Sequence, residues 1–77
     1  MAQLTPEQAL EQDFYELAEQ AALKVVEDGV DLDEASADAE VQLDERSREY
    51  GLGEATEEQG AALWEEVKEQ VLALEGE

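Results

Sequence analysis

Carboxylates are the commonest groups in this chain that could do chemistry. The sequence holds 23 aspartate and glutamate residues but only four lysine and arginine residues, a net charge of −19. Two carboxylates held close together can act as general acid and base. With so many acids, pairs arise at every helical spacing, so their presence does not indicate catalysis. We therefore predict a protein that is not an enzyme.

The usual nucleophile arrangements are absent from the sequence. It contains no histidine and no cysteine, so neither a Ser–His nor a Cys–His arrangement can form. Ser36 and Ser47 lie on or beside a narrow apolar stripe, where we expect small residues to ease helix packing. The lack of cysteine also means that no disulfide framework exists.

One acidic segment, residues 28–34, resembles a calcium-binding loop. Read from Asp31, the EF-hand register places Ser36 where glycine is required and Gln42 where a bidentate glutamate is required. Helix capping by Asp31 and Glu34 accounts for the segment better. We predict no specific metal site and no cofactor.

Acyl carrier proteins share this length, acidity and expected helical content. They carry Asp-Ser-Leu at the serine that accepts the phosphopantetheine arm, whereas this chain has Ala35-Ser36-Ala37. The resemblance therefore stops at the motif, and that function is not predicted here.

The 77 residues are expected to form a single domain, 1–77, with a core of marginal size. No basic segment followed by an apolar run opens the chain, and no stretch reaches the roughly 18 apolar residues of a membrane span. We expect a soluble, cytoplasmic protein. Its charge should repel anionic lipid and nucleic acid, so direct binding to either is not predicted.

Hydrophobic spacing predicts an all-α fold, a small three-helix bundle with short connections and antiparallel neighbours. The expected helices are 6–28, 32–50 and 57–75. Thr5 with Gln8, Asp31 with Glu34, and Thr56 with Gln59 have the spacing of capping boxes, and Gly29 suits a left-handed helix end. Gly60 is expected to permit close approach of another backbone.

The first helix has the widest apolar face, which predicts that it packs against two neighbours at once. The expected core is Leu10, Phe14, Leu17, Ala21, Val25, Leu32, Ala39, Leu43, Tyr50, Leu63, Trp64, Val67, Val71 and Leu74. Three further apolar residues, Leu23, Val41 and Leu72, fall outside these stripes. They predict a homodimer that would cover them.

Each basic residue has an acidic neighbour at helical spacing. The expected pairs are Lys24 with Asp28, Arg46 with Glu49, Arg48 with Asp44 and Lys68 with Glu65. Lys68 also follows Trp64 by four residues, a spacing that allows a cation–π contact, although we expect its aliphatic stem to pack on the indole. No basic patch is left by this arrangement.

The remaining acids form rows opposite the apolar stripes of the second and third helices. The candidate partner-binding residues are Glu34, Asp38, Glu45, Glu49, Glu58, Glu65, Glu66 and Glu69. A step of four residues rises about 6 Å, of the same order as the spacing of phosphates along a nucleic acid strand. Such rows could imitate a phosphate backbone.

Two interpretations explain the exclusion of lysine and arginine, since ordinary surfaces mix both signs. In the first, the chain occupies the basic nucleic-acid-binding surface of a partner, as phage anti-restriction and anti-CRISPR inhibitors do by mimicking DNA. In the second, it is a helical interaction protein of a halophilic organism, and the charge is a solvent adaptation. In both, crowded carboxylates should make stability rise with added salt and with falling pH.

Overall fold

The computed structural model describes residues 3–76, which form three helices and no strand. They are α1 (Pro6–Asp28), α2 (Leu32–Glu49) and α3 (Glu57–Glu75). The predicted all-α three-helix bundle is confirmed, and the expected bounds differ only in that α2 ends one residue earlier. None of these helices has the length and apolar character needed to cross a membrane.

Two of the three predicted capping boxes are present. At the start of α1, the Thr5 hydroxyl accepts a hydrogen bond from the Gln8 amide at 3.1 Å, and the Gln8 side chain accepts one from the Thr5 amide at 3.0 Å. Thr56 and Gln59 make the same reciprocal bonds at α3. The prediction for α2 was wrong, because Asp31 is the N-cap but its side chain makes no capping hydrogen bond.

Glycines with positive φ end α1 and shape the connection between α2 and α3. Gly29 has φ +71°, and its amide bonds back to the Lys24 carbonyl. Gly51 and Gly53 have φ +78° and +81°, a conformation that side chains with a Cβ rarely adopt. The connection, residues 50–56, is held against α2 by a hydrogen bond of 2.8 Å that the Ala55 amide donates to the Asp44 carboxylate.

Consecutive helices are antiparallel, as predicted. Lys24, late in α1, pairs with Asp38, whereas Asp13, early in α1, contacts Tyr50 just beyond α2. The helix α1 packs about equally against α2 and α3, which contact each other less. This confirms that the wide apolar face of α1 serves two neighbours.

Most of the predicted core is buried, but alanines and serines contribute more than expected. The buried residues that the predicted core omitted are Ala18, Ala22, Ala35, Ser36, Ser47 and Gly60. Phe14, Val25, Leu32 and Tyr50 are half-buried at the edge of the core. The helices therefore approach closely on small residues, with the larger side chains around them.

Two predicted core residues lie outside the core. Leu74 is 37% exposed because it lies in the last turn of α3, at the end of the bundle. Trp64 is half-buried because its indole N–H needs a partner, and it donates to the Asp33 carboxylate at 3.2 Å.

Gly60 is buried on the side of α3 that faces α2, but its neighbour is a side chain rather than the backbone we expected. A Cβ added at Gly60 would lie 2.7 Å from Oε1 of Glu40. The absence of a side chain at Gly60 thus makes room for the end of the Glu40 carboxylate.

Candidate acidic interface and apolar groove

The four carboxylates predicted on α2 all lie on its outward side. Glu34, Asp38, Glu45 and Glu49 are exposed, whereas the opposite side of the helix carries Ala35, Ala39 and Leu43 in the core. We call these four residues the α2 row. Asp38 differs from the others because it forms an ion pair with Lys24 at 3.5 Å.

An apolar residue lies in the middle of the α2 row. Val41 is 58% exposed, and helical geometry places it between Asp38 and Glu45 on the same side. Leu72 of α3 is 59% exposed, while Leu23 is half-buried. The predicted homodimer, which these residues motivated, stays a prediction.

Three of the four carboxylates predicted on α3 form a second outward group. Glu58, Glu65 and Glu69 are exposed on the side opposite Leu63 and Val67; we call them the α3 row. Glu66 does not belong with them. It is half-buried and accepts a hydrogen bond from Gln70 at 3.1 Å, because it lies on a flank of the helix.

The two rows do not merge into one surface. Each faces away from the bundle at its own helix, and α2 and α3 occupy different corners of the bundle. A flat partner surface can therefore contact one row fully and the other only at its edge. The sequence placed each row on its helix but could not give the direction in which the rows face.

All four cationic side chains are held by groups of this chain. Arg48 bonds to Asp44 and Glu54, both at 3.0 Å, which confirms the predicted pair with Asp44. The partners predicted for Lys24 and Arg46 were wrong. Lys24 pairs with Asp38 at 3.5 Å, and Arg46 pairs with Asp13 at 3.4 Å. Both of these ion pairs join α1 to α2, a preference that helical spacing alone cannot reveal.

The fourth cation, Lys68, lies over an aromatic ring. Its Nζ is 5.3 Å from the centre of the Trp64 ring, within the roughly 6 Å range of a cation–π contact. We preferred stem packing to a cation–π contact and expected a pair with Glu65. Among residues 3–76 the ammonium group of Lys68 lies over the indole, and it forms no ion pair with Glu65. The α3 carboxylates Glu58, Glu65 and Glu69 form no ion pair in the described part of the chain.

Asp13 of α1 contacts two side chains at the other end of the neighbouring helix, Arg46 in the last turn of α2 and Tyr50 just beyond it. Its side chain is 14% exposed, accepts a hydrogen bond from the Tyr50 hydroxyl at 2.5 Å, and pairs with Arg46. The hydrogen bond to Asp13, partial burial and the negative charge of Asp13 raise the pKa of Tyr50 above its ordinary value of 10.0. This cluster joins the end of α2 to α1.

An apolar groove of about 340 Å³ opens between α1, the α2–α3 connection and α3. Its lining residues are Glu7, Leu10, Glu11, Phe14, Tyr15, Leu43, Leu52, Gln59 and Ala62. We call it the α1–α3 groove. Sequence reasoning missed it. Glu7 and Glu11 belong to none of the predicted rows or stripes, and Tyr15, which lies beside the apolar stripe of α1, was expected to pack against a neighbouring helix rather than to line an open groove.

Other candidate chemistry finds no support in the described part of the chain. Residues 3–76 contain no cluster of three or more acidic side chains placed to hold a metal ion. Ser36 is 4% exposed and its hydroxyl has no hydrogen-bond partner, so it is not presented for modification. Comparisons with protein-family models, curated proteins and solved structures found no match to this chain.

Proposed function

We propose that this protein binds the basic, nucleic-acid-binding surface of a partner protein and occupies it in place of nucleic acid. One observation carries the proposal. The four cations are all engaged within the fold, while the α2 and α3 rows face outward. The chain thus uses its few positive charges for its own packing and presents negative charge to a partner.

The α2 row is the better candidate for the contact. It has four carboxylates over about four turns of helix, with Val41 exposed among them to contact apolar stems of lysine or arginine. The long-range field of a chain with net charge −19 should speed encounter with a basic channel, and affinity should fall steeply as salt screens it.

A pull-down tests the proposal. The protein is immobilised and exposed at moderate salt to a lysate of the host cell in which it is made, and the captured proteins are eluted with duplex DNA. The expected result is elution of one or a few nucleic-acid-binding proteins, because DNA and the acidic rows compete for the same surface. Recovery of no such protein, or capture that DNA cannot displace, would rule the proposal out.

A further inference from the structure

The α1–α3 groove exists because one side of α1 changes character along its length. Ala18 and Ala22 are fully buried, and helical geometry places them on the side of α1 away from Asp13 and Lys24, which pair with α2. Since α2 and α3 are the elements that α1 contacts, this is the side on which α3 packs. Seven residues earlier, on the same side of the helix, lie Glu11 and Tyr15, and both are exposed. α3 therefore covers this side of α1 only near the C-terminal end of α1. The groove opens near the N-terminal end of α1.

The groove has an apolar interior and an acidic edge. Leu10 and Leu43 are buried at its base. Phe14 and Tyr15 form a wall, with ring centres 5.2 Å apart and planes nearly perpendicular, and Tyr15 is half exposed. Ala62 on α3 is too small to fill the space. A half-exposed tyrosine beside an apolar cleft is typical of protein-binding surfaces.

We infer that the groove binds an apolar side chain carried by a basic, amphipathic helical segment of a partner protein. The groove is at the low end of the roughly 300–1,000 Å³ range of binding pockets, so it holds one or two side chains. Glu7 and Glu11 at its edge then pair with lysine or arginine on either side of that anchor. A second copy is the wrong occupant, because each copy carries −19 and would bring like charges to this edge.

This inference rests on the proposed function only in that the partner is basic. Binding of synthetic peptides to the groove tests the inference directly. The probe is a lysine-rich amphipathic peptide with one leucine on its apolar side, titrated calorimetrically at moderate salt. The matched peptide has alanine in place of that leucine and the same charge. Because the anchor enters a desolvated cleft, its removal should weaken binding by about tenfold or more.

Two protein variants locate the contact with the same chemical change. Leu52 lines the groove, whereas Leu72 is exposed and lies outside its lining. Leu52→Ala should weaken binding of the leucine peptide, and Leu72→Ala should leave it unchanged. The methyl resonance of Ala62 should shift when the leucine peptide binds and stay in place with the alanine peptide, a readout that requires no variant.

Equal binding of the two peptides, or equal loss in the two variants, would overturn the inference by showing that charge alone attracts the peptide. Concentration-dependent dimerisation that Leu52→Ala abolishes would overturn it by assigning the groove to a second copy. Failure of the proposed function is distinguishable. If the leucine peptide binds as expected but duplex DNA displaces nothing from the immobilised protein, the groove is a binding site and the nucleic acid mimicry proposed above is wrong.

Discussion

At the residue scale, Ser36 is a polar residue whose position in the core is unfavourable for stability. Its hydroxyl is buried without a hydrogen-bond partner in the described residues. A buried unsatisfied hydroxyl costs about 1–3 kcal/mol, and alanine is also the better helix former. Ser36→Ala should therefore raise the free energy of unfolding by about 1 kcal/mol, measured as a higher urea midpoint with an unchanged slope.

The converse substitution provides a control for Ser36. Ala39 is equally buried on the same helix, so Ala39→Ser adds a hydroxyl to the core and should lower stability. If Ser36→Ala destabilises the protein, the hydroxyl has a favourable contact and the description of this part of the core is wrong.

The phenol of Tyr50 should ionise at a higher pH than an ordinary tyrosine. In a Tyr15→Phe background, Tyr50 is the only tyrosine left, and its tyrosinate absorbance reports its ionisation directly. The hydrogen bond to Asp13 raises its pKa, so the midpoint should lie above 10.0. Asp13→Asn should move the midpoint down, because the carboxylate charge that disfavours tyrosinate is removed. A midpoint that Asp13→Asn leaves in place would show that the cluster does not hold the phenol.

The raised pKa fixes the sign of a stability effect. The folded state holds the phenolic proton more tightly than the unfolded state. The stabilisation by Tyr50 is therefore present in full below about pH 10, the unfolded pKa, and is lost as pH rises through the folded pKa. Tyr50→Phe should remove this alkaline loss from thermal melts.

At the element scale, α3 contains a glycine that the fold does not require. The group nearest to a new Cβ at Gly60 is the end of a flexible side chain, Glu40, which can rotate away. Gly60→Ala should therefore stabilise the protein by up to about 1 kcal/mol, since alanine favours the helix interior. The measurement is a urea melt, with Glu40→Ala and the double variant alongside.

In the double variant, the gain from Gly60→Ala should be at least as large as in the single variant, because no carboxylate has to move. A loss of stability in the single variant that Glu40→Ala rescues would show that the Glu40 position is fixed by α2 packing.

Helix positions were predictable because their signals are local. Thr5 with Gln8 and Thr56 with Gln59 satisfy helix ends within four residues, so sequence alone located them. Contacts between helices were less predictable. The partners of Lys24 and Arg46 lie on a neighbouring helix, and the α1–α3 groove depends on how far α3 covers α1. Both need the relative placement of helices, which periodicity does not contain.

For the carboxylate rows too, the local positions were predictable and the relative placement of the helices was not. Each outward residue followed from its position opposite an apolar stripe, and only Glu66, on the flank of α3, was misplaced. That the two rows face different directions follows from the bundle geometry rather than from either helix by itself. The outward position of each carboxylate was thus predictable, but the surface that the rows form together was not.

At the scale of the whole molecule, self-repulsion opposes folding. The net charge is −19, and Asp13, Asp38, Asp44 and Glu54 are the acids in ion pairs among the described residues. Salt shortens the Debye length from about 10 Å at 0.1 M to about 3 Å at 1 M. The melting temperature should therefore rise with sodium chloride.

Acidification should act in the same direction as salt. Lowering the pH reduces the net negative charge of the whole chain and the self-repulsion with it, so the melting temperature should rise as pH falls from 7 towards about 5. A melting temperature that is flat in salt and falls on acidification would mean that favourable partners, rather than repulsion, dominate the carboxylates.

We propose that the α2 row is a recognition surface and not merely a share of the bulk charge. The most direct measurement is the affinity of a captured partner for two charge-reversed proteins, Glu45→Lys with Glu49→Lys, and Glu19→Lys with Glu27→Lys. All four residues are exposed, and both double variants change the net charge equally. Only the first should lose binding; an equal loss in both would contradict a localised α2 row.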